Sequence, residues 1–144
     1  MTNPTASLDA DRLQAIHAWN THWSDHDIAR LIELFVDDFI YEDVPTHRVN
    51  HGGAELRAFA EEVFKASSDV RYEISHAIVS GDRGSAELTI LGTHTGNLEG
   101  IPATGKSFEV RGHSAFEFEG ARIKRCSDYW CIATMLKQLG LLPS

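Results

Sequence analysis

The sequence predicts an α+β fold, with N-terminal helices packed in the concave face of a curved antiparallel sheet to make a cone-shaped barrel. Two observations support this. Apolar residues in the first half of the chain recur at helical spacing, and those in the second half alternate with polar residues, as in strands. The 144 residues suit one domain. We therefore expect a single domain over residues 1–144, with residues 1–7 disordered and a pocket inside the cone.

Three helices and a short strand are predicted in the first half. A helix capped by Ser7 carries an apolar stripe, and a second short helix follows a cap at Asp25 or Asp27. The strand "FIYEDVP" ends at Pro45, and a third helix spans about residues 54–66. The residues that recur at helical spacing in the first helix are Leu13, Ile16, Trp19, Asn20 and Trp23, of which only Asn20 is polar.

Four long strands and a last helix are predicted in the second half. The strands are "VRYEISHAIV", "SAELTILGTHTG", "SFEVRGHSAFEF" and "RIKRCSDYW", and turns rich in glycine separate them. The helix is "CIATMLKQLGLL". Helices followed by an antiparallel meander are typical of an α+β domain.

Charge and composition exclude several classes of partner. A net charge of −8 and a pI near 5.4 argue against nucleic acids and anionic membranes, which bind basic faces. No apolar run reaches the roughly 18 residues of a membrane span, and the N-terminus lacks the pattern of a secretory signal. We expect a cytoplasmic protein. Cys126 and Cys131 are then expected to be thiols, without the ligand spacing of a structural zinc site.

Strand alternation selects candidate site residues. Asp128 shares a face with Cys126 and Trp130, so we expect its carboxyl beside apolar groups, which raises the pKa towards neutrality. An acid with such a pKa suits general acid/base catalysis. A solvent-facing or salt-bridged aspartate is the alternative.

Other polar residues share inward faces by the same count. His94 goes with Leu88 and Ile90, His76 with Ile74, and Asp43 with Phe39 and Tyr41. The face of His113 is ambiguous, and a bulge near Gly112 would resolve it. Strand histidines are more often structural than catalytic, and Asp43 could simply serve the turn at Pro45. His22 and His26 are four residues apart, but Ser24 and Asp25 should break that helix, so we expect no metal site.

Three segments resemble the SnoaL-like polyketide cyclases of the nuclear-transport-factor-2-like superfamily. They are "WNTHWSDHDIARLIELFVDDFIYEDVP", "GTHTGNLEGIPATGKSFEVRGHSAFEFEGARIKRCSDYW" and "MLKQLGL". The resemblance implies the cone-shaped fold, a homodimer packed through the sheet, and no metal or cofactor. It places the catalytic aspartate at Asp128 and a catalytic histidine at His113. The family commonly reads "DYWD", whereas this chain has Cys131 at the second acid, a poor helix cap.

The function implied by the resemblance is cofactor-independent, intramolecular aldol cyclisation of a small hydrophobic or aromatic substrate. Asp128 would move the proton and His113 and His94 would donate hydrogen bonds to the enolate oxygen. We expect the remaining substrate-binding residues to be Trp19, Tyr41, Asp43 and Trp130. The alternatives are a non-catalytic small-molecule-binding domain, an epoxide hydrolase or a ketosteroid-isomerase-like enzyme on the same fold. The strand "ILGTHTG" lacks the Arg and Asp of the hydrolase, and the isomerase's base would sit at Asp43.

Overall fold

A computed structural model describes residues 4–143 and contains four helices and six strands in that range. The helices are α1 (Pro4–Ser24), α2 (Ile28–Glu33), α3 (Gly52–Ala66) and α4 (Ile132–Gln138). The strands are β1 (Phe35–Asp43), β2 (Arg48–His51), β3 (Arg71–Ser80), β4 (Arg83–Thr93), β5 (Ser107–Glu119) and β6 (Arg122–Trp130). The predicted α+β class, with helices on a curved sheet, is confirmed.

One six-stranded sheet joins all the strands in the order β2-β1-β6-β5-β4-β3. Neighbours are antiparallel except β1 and β6, which run parallel. The expected antiparallel sheet is therefore mixed, because the last strand enters beside a strand from the first half of the chain. This parallel pairing sets Asp43 opposite Asp128.

The core is built on two tryptophans of α1. Trp19 and Trp23 are almost fully buried, and the ring of Trp19 meets the ring of Phe116 edge-on at 5.1 Å. Trp23 packs against Tyr41 and Tyr72 at 5.9 and 5.5 Å between ring centroids. The apolar stripe predicted from helical spacing thus holds α1 against the sheet. A second apolar cluster joins β5 to α4 and comprises Val70, Phe108, Val110, Met135 and Leu139.

Two expectations about the N-terminal half are wrong. Helix α1 begins at Pro4, so residues 4–7 are helical and Ser7 is not its cap, while residues 1–3 lie outside the described range. Strand β2, which was not predicted, follows the turn after Pro45 and pairs with β1. Within residues 4–143, no helix combines the length and apolarity needed to cross a membrane.

His76 is also misplaced by the strand count. The pairing of β3 with β4 shifts register between Ile74 and His76, and this bulge reverses the alternation beyond it. His76 and Ile78 are exposed as a result, and Ala77 and Val79 turn inward.

Candidate active site

A cavity of about 540 Å³ lies inside the cone, within the size range of small-molecule sites. Most of its wall is apolar, and residues of both apolar clusters contribute to it. The buried polar residues that line it are few: Asp43, Ser67, His94, Ser114 and Asp128. Arg48, Glu62 and Lys65 also border the cavity, and Arg48 pairs with Glu62 at 2.7 Å.

Asp128 is held by donors on both carboxyl oxygens. The Tyr41 hydroxyl donates to Oδ2 at 2.6 Å, and the Ser114 hydroxyl lies 2.6 Å from Oδ1. The Cys126 thiol lies 3.6 Å from the same Oδ1. These contacts fix the carboxyl against the wall of the cavity, as expected for a group that must meet its substrate in one orientation.

Trp19 determines the direction of the Tyr41 bond. Trp19 Nε1–H can only donate, and it lies 3.2 Å from the Tyr41 hydroxyl oxygen. Tyr41 therefore accepts from Trp19 and must direct its own proton at Asp128. The result is a donor chain from helix α1 through β1 to the carboxyl on β6.

Burial raises the pKa of Asp128 to about 7, and the nearby negative charge of Asp43 adds to the effect. The hydrogen bonds from Ser114, Tyr41 and Cys126 act in the opposite direction, since they stabilise the carboxylate. Burial, with the charge of Asp128 next, also raises the pKa of the Cys126 thiol well above its usual value, which keeps it protonated. Asp128 thus changes charge near neutral pH, as the sequence predicts.

Asp43 is the second buried acid of the cavity. The indole of Trp130 donates to its Oδ1 at 2.7 Å, and the Thr46 hydroxyl donates to its Oδ2. Burial raises the pKa of this carboxyl, opposed by those two hydrogen bonds and by Arg48. Asp43 and Trp130 therefore both border the cavity, as predicted, but they also bond each other.

His94 lies in the same cavity with one ring nitrogen unsatisfied. Its Nδ1 accepts from the backbone N–H of Thr104 at 3.2 Å and lies 3.0 Å from the Thr104 hydroxyl. A neutral ring then carries its proton on Nε2, which is buried and has no partner in residues 4–143. An unsatisfied donor at a cavity is a place for a ligand oxygen.

The structure does not bring His113 to Asp128. The ring of His113 is exposed on the outer face of the sheet, where Nε2 lies 2.6 Å from the Ser85 hydroxyl. Ser114 is the residue of β5 that pairs with Asp128. Strand β5 pairs with both neighbours without a register shift at Gly112, and its register with β6 shifts between Glu117 and Phe118.

Two further residues differ from the sequence-based expectation. Tyr41 does not line the cavity but stands behind Asp128. Tyr72, which was predicted only as a strand residue, does line it. The burial of Phe116 and Phe118 was the available signal for Ser114, since residues 114, 116 and 118 share one face. No group of three or more residues within 4–143 is arranged to hold a metal ion.

The profile of the SnoaL-like polyketide cyclase family matches residues 13–139, so the chain belongs to this family. It matches none of the curated proteins. Among solved structures, a candidate SnoaL-like polyketide cyclase from Jannaschia sp. CCS1 superposes with a TM-score of 0.85 at 13% identity, covering 99% of each chain.

Two other structures have the same fold. AclR of Streptomyces galilaeus, a candidate hydroxylase, has a TM-score of 0.82 and 20% identity over 94% of this chain and 85% of its own. A protein with a ketosteroid-isomerase-like fold from Catenulispora acidiphila DSM 44928, solved with trimethylamine, has a TM-score of 0.78 and 22% identity over 90% of this chain and 94% of its own. At these identities the likeness establishes the fold alone.

Proposed function

We propose that the protein is a cofactor-independent acid/base enzyme that closes a ring by intramolecular aldol addition. The single observation that carries the proposal is the state of Asp128: a carboxyl buried in an apolar cavity, fixed by two donors, with a pKa of about 7. Such a group accepts and returns a proton at neutral pH with little free-energy cost. Membership of the cyclase family supports this reaction type.

Asp128 would first remove a proton from a carbon flanked by carbonyls. The resulting enolate carbon attacks a second carbonyl carbon of the same molecule, and the oxygen of that carbonyl takes up the proton. His94 Nε2–H is the free donor available to a developing oxyanion. The enclosed wall holds the substrate in a folded pose, which brings the two carbons together.

The proposed substrate is uncharged and flat or aromatic. Trp19, Phe108 and Trp130 give the cavity aromatic surfaces. Two acids occupy its interior, and neither forms an ion pair within residues 4–143. A carboxylate or phosphate of a substrate would be repelled by them.

The proposal is tested by a mass-spectrometric time course. Wild type, Asp128→Asn and the exposed control Asp38→Asn would each be incubated with an anthraquinone β-keto methyl ester, a steroid β,γ-enone and an epoxide in oxygen-18 water. We expect wild type and Asp38→Asn to cyclise the ester and Asp128→Asn to lose at least about 100-fold in rate. Labelled diol or isomerised enone would instead identify an epoxide hydrolase or an isomerase. No turnover, with equal ester binding by wild type and Asp128→Asn, would identify a binding domain.

A further inference from the structure

Asp43 and Asp128 form a pair of acids on neighbouring strands. They are direct partners in the parallel register of β1 and β6, so their backbones lie about 4.8 Å apart and their side chains leave the sheet on the same face. Both carboxyls border the cavity and both are buried. The backbone N–H of Val44 donates to the carbonyl of Asp128 at 3.0 Å, which fixes the register at this level.

The two carboxyls have separate sets of donors. Tyr41 and Ser114 serve Asp128, whereas Trp130 and Thr46 serve Asp43. Each oxygen of Asp43 receives one bond from the protein, so a second lone pair on each oxygen is free for a ligand. Asp43 is therefore positioned in its own right and does not act merely as a partner that orients Asp128.

Burial raises the pKa of both carboxyls, and the charges around each of them differ. Asp43 faces Arg48, which favours its charged form, and Glu99, which opposes it. Asp128 faces the negative charge of Asp43 and has no cation among its partners. Tyr41 and Cys126, the other ionisable groups against Asp128, stay neutral because burial raises the pKa of each. Two close acids in such surroundings ionise in succession, so one can be a base while the other is an acid.

A second feature indicates that a ligand belongs between these groups. His94 is 1% exposed and borders the same cavity, and its Nε2–H has no acceptor in residues 4–143. A buried donor without a partner is costly unless a ligand supplies the acceptor. A substrate carbonyl bonded there would lie in the cavity with both carboxyls.

We propose that Asp43 is a second catalytic residue, the base that removes the carbon-bound proton, while Asp128 is the acid that protonates the attacked carbonyl. This inference rests on the proposed function and divides between two residues the proton transfers otherwise assigned to Asp128 alone. It also explains why a second acid is buried at the cavity wall instead of facing solvent at the turn after β1.

The reaction consists of two proton transfers and the formation of one C–C bond. The Asp43 carboxylate takes the proton of the C–H bond, and the electron pair of that bond becomes the enolate. The enolate carbon forms the new C–C bond, the π electrons of the attacked carbonyl move to its oxygen, and that oxygen takes the proton of Asp128. Asp43 is then protonated and Asp128 ionised. Transfer of one proton from Asp43 to Asp128, directly or through the product hydroxyl, restores the starting pair.

The test separates deprotonation from ring closure. Wild type, Asp43→Asn, Asp128→Asn and Asp38→Asn would be incubated with the β-keto ester in deuterium oxide. Deuterium entry at the acidic carbon above the uncatalysed rate reports deprotonation, and cyclised product reports closure. We expect the rates of deuterium entry and of ring closure both to fall at least about 100-fold in Asp43→Asn. Asp128→Asn should lose closure but keep deuterium entry within about tenfold of wild type.

Each outcome decides something different. Asp43→Asn with closure within threefold of wild type, while Asp128→Asn is inactive, overturns this inference and leaves the proposed function standing. A wild type that turns over nothing overturns both.

A second variant, Thr46→Val, tests the inference if Asp43→Asn fails to fold, although Asn keeps the shape of Asp and an acceptor for Trp130. Thr46→Val retains the Asp43 carboxyl but removes a bond that lowers its pKa, so the acid limb of the pH–rate profile should move to higher pH. An unmoved profile in Thr46→Val would also contradict a proton-transfer role for Asp43.

Discussion

The hydroxyl of Tyr41 has a fixed direction relative to Asp128. Its oxygen accepts from Trp19 at 3.2 Å, so its proton can serve only the carboxylate oxygen 2.6 Å away. A buried donor aligned in this way stabilises the charged form of Asp128 and partly offsets the cost of burial. The tyrosine that the sequence assigns to a substrate wall instead adjusts the acidity of the carboxyl in front of it.

Tyr41→Phe should therefore raise the pKa of Asp128 above about 7, because a bond to the carboxylate is lost and burial remains. We expect the limb of the pH–rate profile that reports the ionisation of Asp128 to move to higher pH. Trp19 Nε1 also loses its acceptor, which should lower the free energy of unfolding by about 1–3 kcal/mol. The matched control is Tyr129→Phe, since Tyr129 is half exposed and is not among the groups bonded to Asp128. Identical profiles for Tyr41→Phe and wild type would refute this account of Tyr41.

The second prediction compares the two predicted site histidines, His94 and His113, by the effect of their substitution on kcat. His94→Asn keeps an acceptor near the position of Nδ1 for Thr104 but removes the Nε2–H donor, and we expect kcat to fall about 100-fold. His94→Gln replaces that donor with an amide N–H and should recover part of the rate. His113→Gln should leave kcat within twofold of wild type, because His113, although it borders the cavity, is exposed and its ring bonds Ser85 and not Asp128. Steady-state kinetics with the β-keto ester checks these values, and a large loss of kcat in His113→Gln would instead support the catalytic role that the family resemblance implies for His113.

A third prediction concerns stability and pH. The folded-state pKa of Asp128 is about 7 and its ordinary value is 3.8, so the unfolded chain releases this proton more readily. Below about pH 4, Asp128 is protonated in both states and its burial as a charge does not lower the free energy of unfolding. As the pH rises from about 4 to 7, the unfolded chain loses this proton first, so the free energy of unfolding falls. At about 1.4 kcal/mol per pKa unit, the loss is about 4 kcal/mol by pH 8.

Urea unfolding at pH 4, 5.5 and 8 tests this prediction. Asp128→Asn should lose less stability than wild type across the window, so the difference between the two proteins grows with pH. Asp38→Asn, at an exposed position, should follow wild type. Parallel stability curves for wild type and Asp128→Asn would mean that the carboxyl is not penalised by burial.

Alternation along strands predicted the inward faces of Asp43, His94 and Asp128 because these stretches pair without interruption. It failed for His76, where a bulge in β3 reverses the count, and it left His113 undecided. Phe118 pairs with Ile123 and Glu117 with Arg125, so the bulge beside the β5–β6 turn lies in β6, at Lys124, and no turn residue marks it in the sequence. Strand β5 itself keeps its alternation, with residues 110, 114, 116 and 118 buried, so His113 lies on the opposite face and Ser114 takes the place beside Asp128.

The pairing that sets Asp43 opposite Asp128 was not accessible from the sequence. Asp43 and Asp128 are 85 positions apart in numbering, and their strands pair in parallel although neither follows the other in the chain. Periodicity identifies the face of a strand but not its neighbours in a sheet. The donors Trp130 and Thr46 were hidden for the same reason, because their contacts with Asp43 depend on that pairing and on the turn after β1.

The last prediction concerns Cys131, which stands where the family commonly has an aspartate. Cys131 is the N-cap of α4 and forms no side-chain cap bond. Cys131→Asp should supply one and raise the free energy of unfolding by about 1 kcal/mol, whereas Cys131→Ala should change it little. Because α4 contributes Met135 and Leu139 to the cavity wall, the same variant should also tighten binding of the β-keto ester slightly. Urea denaturation of the two variants beside wild type checks the first expectation, and equal stability of Cys131→Asp and Cys131→Ala would show that the cap is not limiting.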